Sequence, residues 1–294
     1  MCLALRFNLK VSHSDMKDFV FKGKTYSIPE TLEELDREQY IELLKLSAAM
    51  MQGYIRPDTF RVKWISRLLG LKADYTIYRP EIVAEVDAQL EKLDGFFIYK
   101  DIDGGGRSVT PRLTTGKQML REYAGWIGPG DMLDGMTFGD FTDCLIILSM
   151  IKRSADEDGT EKELSELYEE LTRKMYRPVV NIPKGKPVPV PPALLVLHAF
   201  NLFSAVWMQI VNEPVNINGE DVSFSILFNS AGDAQGRHGT NDRTGWKGIT
   251  FEVAASGVFG AMDSVNNTPF WDVLLYLYKC KYEHIHSKKS TGKH

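Results

Sequence analysis

Between Pro178 and Pro192 six of fifteen residues are proline, and this run constrains the chain more than any other feature. Proline fixes φ and carries no N–H, so neither a helix interior nor a central strand passes through such a stretch. The reading is an extended, polyproline-like strap over 177–192 that separates two regions. The stretch has the composition of a ligand for a proline-binding module, but a stiff connection between helical parts is the preferred reading.

The remainder of the 294 residues can fill those regions, because 44% hydrophobic content supports a sizeable core. A net charge of −4 gives no overall basic field to draw the protein to nucleic acid or an anionic membrane, so any such binding must be local. Cys2, Cys144 and Cys280 lie far apart and form neither a CxxC pair nor zinc-site spacing, which suits a reducing compartment. The opening MCLALRF is too short an apolar run for a secretory signal, and a cytoplasmic location is expected. The uncharged stretch 193–211 approaches the roughly 20 residues that cross a bilayer. Its His198, Asn201, Ser204 and Gln209 would each need a partner inside lipid, which favours a buried or partner-facing helix over a membrane span.

Along the chain, 3–11 and 19–28 alternate, with Lys22-Gly-Lys24 as a turn, so residues 1–28 are expected to form a small antiparallel element. A helical domain over 29–176 follows. It opens at the capping box Thr31-Leu-Glu-Glu34, continues with helices at 57–69 and 79–94, and carries a short β insertion near 95–113. Helices at 137–152 and 160–176 join through an acidic turn as a hairpin. Beyond the strap, 193–294 is a second helical region. It contains a Gly-rich loop at 229–248, a small-residue helix or strand at 249–262, and a last helix with Thr268 as N-cap and Pro269 at its first position, running to about Tyr282. The fold class is therefore mainly α with a small N-terminal antiparallel β element (α+β), its helical hairpins packed around one or two cores.

No motif carries chemistry. In Gly104-Gly-Gly-Arg-Ser-Val-Thr-Pro-Arg-Leu-Thr-Thr-Gly-Lys-Gln118 the phosphate-loop pattern fails, because Gln118 stands where a Ser or Thr would hold magnesium and Pro111 stands five before Gly116. His284-Ile-His286 is the only close histidine pair, and two residues apart on a helix they face different ways. No catalytic residue, metal site or cofactor is expected. The loop residues Arg237, His238, Arg243, Trp246 and Lys247 have the local chemistry of a phosphate or single-strand contact. Asp233 and Asp242 dilute that charge, so ordering against a protein partner is the preferred reading. Candidate partner-binding residues are Phe270, Trp271, Leu274 and Tyr278 on the last helix, with His198 and Trp207 on the apolar one. The edges of the N-terminal strands are a further candidate, through strand addition.

Three stretches carry a resemblance: Phe21-Lys-Gly-Lys-Thr-Tyr-Ser-Ile-Pro-Glu-Thr-Leu-Glu-Glu-Leu-Asp-Arg-Glu-Gln-Tyr40, Leu133-Asp-Gly-Met-Thr-Phe-Gly-Asp-Phe141 and Pro269-Phe-Trp-Asp-Val-Leu-Leu-Tyr-Leu-Tyr278. By loose pattern over about a third of the chain, it resembles bacteriophage and prophage tail-module proteins, especially tail assembly chaperones. That resemblance implies a largely helical, non-enzymatic protein without cofactor. It would bind tape-measure and tail-tube proteins, or copies of itself, in the cytoplasm of the bacterial host. The chain is longer than many such chaperones, and its strap and Gly-rich loop depart from the pattern. A permanent virion component (neck, baseplate or internal) and a nucleic-acid-binding protein using 229–248 are the alternatives.

Overall fold

The computed structural model describes residues 16–71, 79–89, 95–102, 106–157, 159–180, 186–228 and 245–291. It is mainly α with a few small antiparallel sheets, the expected α+β class. Contacts divide the chain into two units, residues 10–120 and a second unit made chiefly of 121–294. The proline strap was expected to separate two regions. The division instead falls at Leu120/Arg121, and the strap lies inside the second unit.

In the unit 10–120, β1 (Lys17–Phe21) and β2 (Lys24–Ile28) form the expected hairpin, and Lys22 and Gly23 take positive φ of 49° and 72° in its two-residue turn. Both turn positions therefore have the twist that two-residue hairpins require. The strand expected at 3–11 lies outside the described residues. Helix α1 (Arg37–Met51) starts a turn later than Thr31 suggested. Glu34 accepts from the backbone of Glu30 at 2.7 Å and closes only a short 3-10 turn, whereas Asp36 accepts from Gln39 N at 2.7 Å and caps the helix. Helix α2 (Pro57–Leu68) ends before Gly70, whose φ is +65°. Helix α3 (Pro80–Asp87) is shorter than expected. Strands β3 (Phe97–Ile102) and β4 (Gly106–Pro111) pair as a hairpin.

The core of this unit is aromatic. Phe60 meets Phe97 edge-on at 5.4 Å and Trp64 meets Phe96 at 5.3 Å, joining α2 to the start of β3, and Phe19, Ile28, Tyr40 and Leu43 are fully buried in the same unit. Edge-to-face pairs of this kind add about 0.5–1.5 kcal/mol beyond the area they bury. The edge of β1 was a candidate for strand addition, but α3 and the turn after it engage it. The Gln89 side chain accepts from Val20 N at 2.9 Å and donates to Val20 O at 2.6 Å, and Glu85 accepts from Lys22 N at 2.7 Å. A side-chain amide thus stands where a further strand would pair.

The second unit begins with β5 (Glu122–Tyr123) and β6 (Trp126–Ile127), continues through α4 (Phe138–Asp156) and α5 (Glu161–Met175), and reaches β7 (Arg177–Pro178). The first two residues of the strap are therefore an edge strand on β6, where a proline is tolerated. Helix α6 (Ala193–Asn212) returns from the strap onto α5, with Tyr168 edge-on to Phe200 at 4.9 Å. This packing is why the strap does not separate two bodies: it connects two helices of one core.

Next come β8 (Val215–Ile217) and β9 (Glu220–Val222), then α7 (Trp246–Ala255), α8 (Met262–Asn267) and α9 (Phe270–Thr291). The segment expected as a helix or strand over 249–262 holds the end of α7 and the start of α8. Thr268 does not cap α9 as expected, since its hydroxyl donates back to Ser264 O at 2.8 Å. The starts of α4 and α9 are instead laced together, Phe138 N donating to Thr268 O at 2.8 Å and Phe270 N to Met136 O at 3.1 Å.

Candidate functional site

Thr137 caps α4 by accepting from Asp140 N at 3.1 Å, and the helix then repeats Asp140, Asp143 and Ile146 every third residue on one face. Across from that face stand Trp246, Lys247, Thr250 and Phe251 from the first two turns of α7, with Met262, Asn266 and Asn267 from α8 and Arg177 from β7. Together they line an open cleft of about 580 Å³. The helices approach closely because residue 139 is glycine: a Cβ there would lie 3.1 Å from Asn266 O. Any larger side chain at 139 would push α8 away from the cleft wall.

Both carboxylates in the cleft face cations. Asp143 pairs with Lys174 at 2.5 Å, and Asp140 lies 3.7 Å from the Arg177 guanidinium while accepting from the Thr137 hydroxyl at 2.9 Å. The hydrogen bond to Asp143 raises the Lys174 amine further above its usual range, so this lysine stays charged. Ile146, Phe251 and Met262 are exposed around these ions, Phe251 by 53%. The cleft therefore combines carboxylates already paired with cations and exposed apolar side chains.

Cys144 follows Asp143 but points into the core, where burial foremost, and then the Asp140 and Asp143 carboxylates, push its thiol well above the usual range and keep it protonated. Among the described residues no group of three or more His, Cys, Asp or Glu could hold a metal ion.

The residues expected to bind partners are placed differently. Phe270, Trp271 and Leu274 are core side chains. Phe270 stacks on Phe141 at 4.4 Å, Trp271 Nε1 donates to Met132 O at 3.0 Å, and Leu274 is fully buried. They face inward because the apolar stripe of α9 is the surface its own unit covers. Tyr278 is half-buried and edge-on to Phe224 at 5.8 Å. His198 is fully buried within α6, and Trp207 is half-buried, edge-on to Phe228 at 5.1 Å and to Trp246 at 6.2 Å. Of the loop cations, Arg237, His238 and Arg243 lie outside the described residues. Lys247 is exposed on the cleft, and the half-buried Trp246 ring packs perpendicular to Phe138 and Phe141. His284 is exposed, and His286 stacks on Tyr282 at 4.0 Å.

The sequence reading missed Asp140, Asp143, Lys174 and Arg177. The one available signal was the Asp140/Asp143 spacing after Thr137, and an acidic pair near a helix start is common on solvated helices. Helix α6 is long and apolar enough to cross a membrane, and its buried stripe Leu195, His198, Leu202, Val206 and Ile210 has the period of a helix face turned to a protein core. Comparison of the chain with protein-family models, curated proteins and solved structures finds no match.

Proposed function

We propose that this chain is a non-enzymatic phage or prophage morphogenesis protein that binds other tail components in the cytoplasm of the bacterial host during assembly. The single observation that carries the binding role is the α4–α7–α8 cleft, which the paired Asp140 and Asp143 line together with the exposed Ile146, Phe251 and Met262. The tail assignment draws on the resemblance of 21–40, 133–141 and 269–278 to tail assembly chaperones. In this reading an extended segment of a tape-measure or tube protein lies in the cleft, covers the exposed apolar side chains and exchanges ion partners with Asp140 and Arg177. No cofactor takes part.

The test is a tagged pull-down from cells that also express the neighbouring tail genes, with mass spectrometry of the bound proteins. Recovery of a tape-measure or tube protein by the wild type, and its loss with Ile146→Asp and Phe251→Asp, supports the proposal. Recovery unchanged by both substitutions removes the cleft from it, and recovery of nucleic acid alone sinks it. Stoichiometric presence of the chain in purified particles would replace the chaperone reading with a permanent virion component.

A further inference from the structure

Helix α9 changes character along its length. Phe270, Trp271, Val273 and Leu274 are buried, whereas none of residues 279–287 is, although the aromatic stripe continues through Tyr282 and His286. Tyr282 is 47% exposed, and its ring stacks on Tyr278 at 5.9 Å and on His286 at 4.0 Å. An apolar stripe that outruns the core covering it is the mark of a surface that packs on something else.

Charge indicates what covers it. Residues 279–287 hold two lysines against one glutamate, while 156–170, the α4–α5 turn and most of α5, hold eight acidic residues against one lysine. Among the described residues the ion pairs of these segments are local i,i+4 pairs, Lys279–Glu283 and Lys162–Glu166, with Glu169 pairing one turn on to Arg173. Exposed pairs of this kind are worth little and exchange readily. Two α9 segments facing one another would bring lysines together, and two α5 helices would bring glutamates together. Only α9 against α5 attracts.

We propose that residues 279–287 of α9 dock on the acidic α5 face of a second copy of this chain, burying the Tyr282 ring, with Lys279 and Lys281 on either side of that ring pairing with Glu166 and Glu170. The contact is small and its ion pairs sit at the rim, so it forms at low ionic strength and is lost as salt screens it. None of Glu166, Glu170, Lys279, Lys281 and Tyr282 lines the α4–α7–α8 cleft, so the proposal goes beyond the proposed function and is tested separately.

The experiment is sedimentation velocity of the full chain at about 50 mM and about 500 mM NaCl, where the screening length falls from about 14 Å to about 4 Å. The wild type is expected above monomer mass in low salt and at monomer mass in high salt. Lys279→Glu with Lys281→Glu weakens association on the order of tenfold, and Glu166→Lys with Glu170→Lys does the same. A chain carrying all four changes associates again, because the charges have traded places. Circular dichroism of each variant checks the fold. A wild type that stays monomeric in low salt at about 100 μM, or a fourfold variant no stronger than either double one, overturns the proposal; the first result is also what an acidic segment of another protein would give. Ile146→Asp and Phe251→Asp leave this association intact, so failure here and failure of the cleft reading are seen independently.

Discussion

His198 is fully buried in α6, and its burial lowers the imidazole from its ordinary 6.5 to about 3. The unfolded chain therefore binds a proton that the folded one refuses once pH falls below about 6.5. The stability tied to the neutral ring is fully present above that pH and is lost towards pH 3, at about 1.4 kcal/mol per pH unit within the window. Urea unfolding at pH 7, 6 and 5 should show this slope in the wild type and a shallower one in His198→Gln; equal slopes would mean that the ring titrates elsewhere. On the same helix the Ser204 hydroxyl is buried and has no hydrogen-bond partner among the described residues. Ser204→Ala removes a desolvated polar group, so thermal unfolding is expected to shift upward by the equivalent of up to about 1 kcal/mol. Trp271 is the opposite case. Its Nε1 donates to Met132 O, in a turn where Met132 and Leu133 hold positive φ of 53° and 60°. Trp271→Phe keeps most of the ring but strands that carbonyl and loosens a strained backbone, costing about 1–3 kcal/mol in the same measurement.

Gly95 shows how a glycine can be read for the wrong reason, since α3 ends at Asp87 and not at the residue before it. As a glycine after a helical pattern it reads as a stop signal, but a Cβ there would sit 1.8 Å from the Glu30 carbonyl oxygen, so what it permits is a close passage of two backbone segments. Gly95→Ala must move one of them. It is expected to destabilise the unit 10–120 by about 1–3 kcal/mol, with the loss appearing in chemical denaturation followed by Trp64 fluorescence. Elements with local punctuation were legible: the Thr160/Glu163 box of α5 and the Lys22-Gly23 turn each solve a backbone problem with the residues adjacent to it. Asn218-Gly219 was an equally local hairpin signal, with φ of +54° and +92°, and the sequence reading did not use it. The cleft was not legible. Its residues come from 137–146, 177, 246–251 and 262–267, and nothing within any one of these stretches indicates that the others lie opposite. The same lack of long-range information made the α9 face look available, since an apolar helical stripe has one sequence pattern whether it meets its own core or a partner.

Across the whole molecule, the strap and the unit boundary make different demands on the chain. A strap that separated two bodies would leave 177–192 as the place where cooperativity breaks. Instead its first residues hydrogen-bond into the β5–β6–β7 sheet, and α5 and α6 on either side of it share the Tyr168–Phe200 and Tyr176–His198 ring contacts. Damage on one side of the strap should therefore be felt on the other. The boundary at 120/121 predicts the reverse, because each unit has its own core: Tyr40, Leu43, Phe60 and Trp64 in one, and Phe141, Phe203, Phe270 and Leu274 in the other. Leu43→Ala and Phe203→Ala each remove a fully buried side chain, at costs of about 2–5 kcal/mol and about 3–5 kcal/mol. In calorimetry Leu43→Ala is expected to lower one thermal transition and Phe203→Ala the other, as two separately cooperating units require. Leu171→Ala on α5 and Leu202→Ala on α6, on opposite sides of the strap and both buried, should lower the same transition as Phe203→Ala. If Leu171→Ala and Leu202→Ala instead moved different transitions, the strap would mark the boundary after all, and the cleft, which draws Arg177 from the strap's first residue, would have to be built across it.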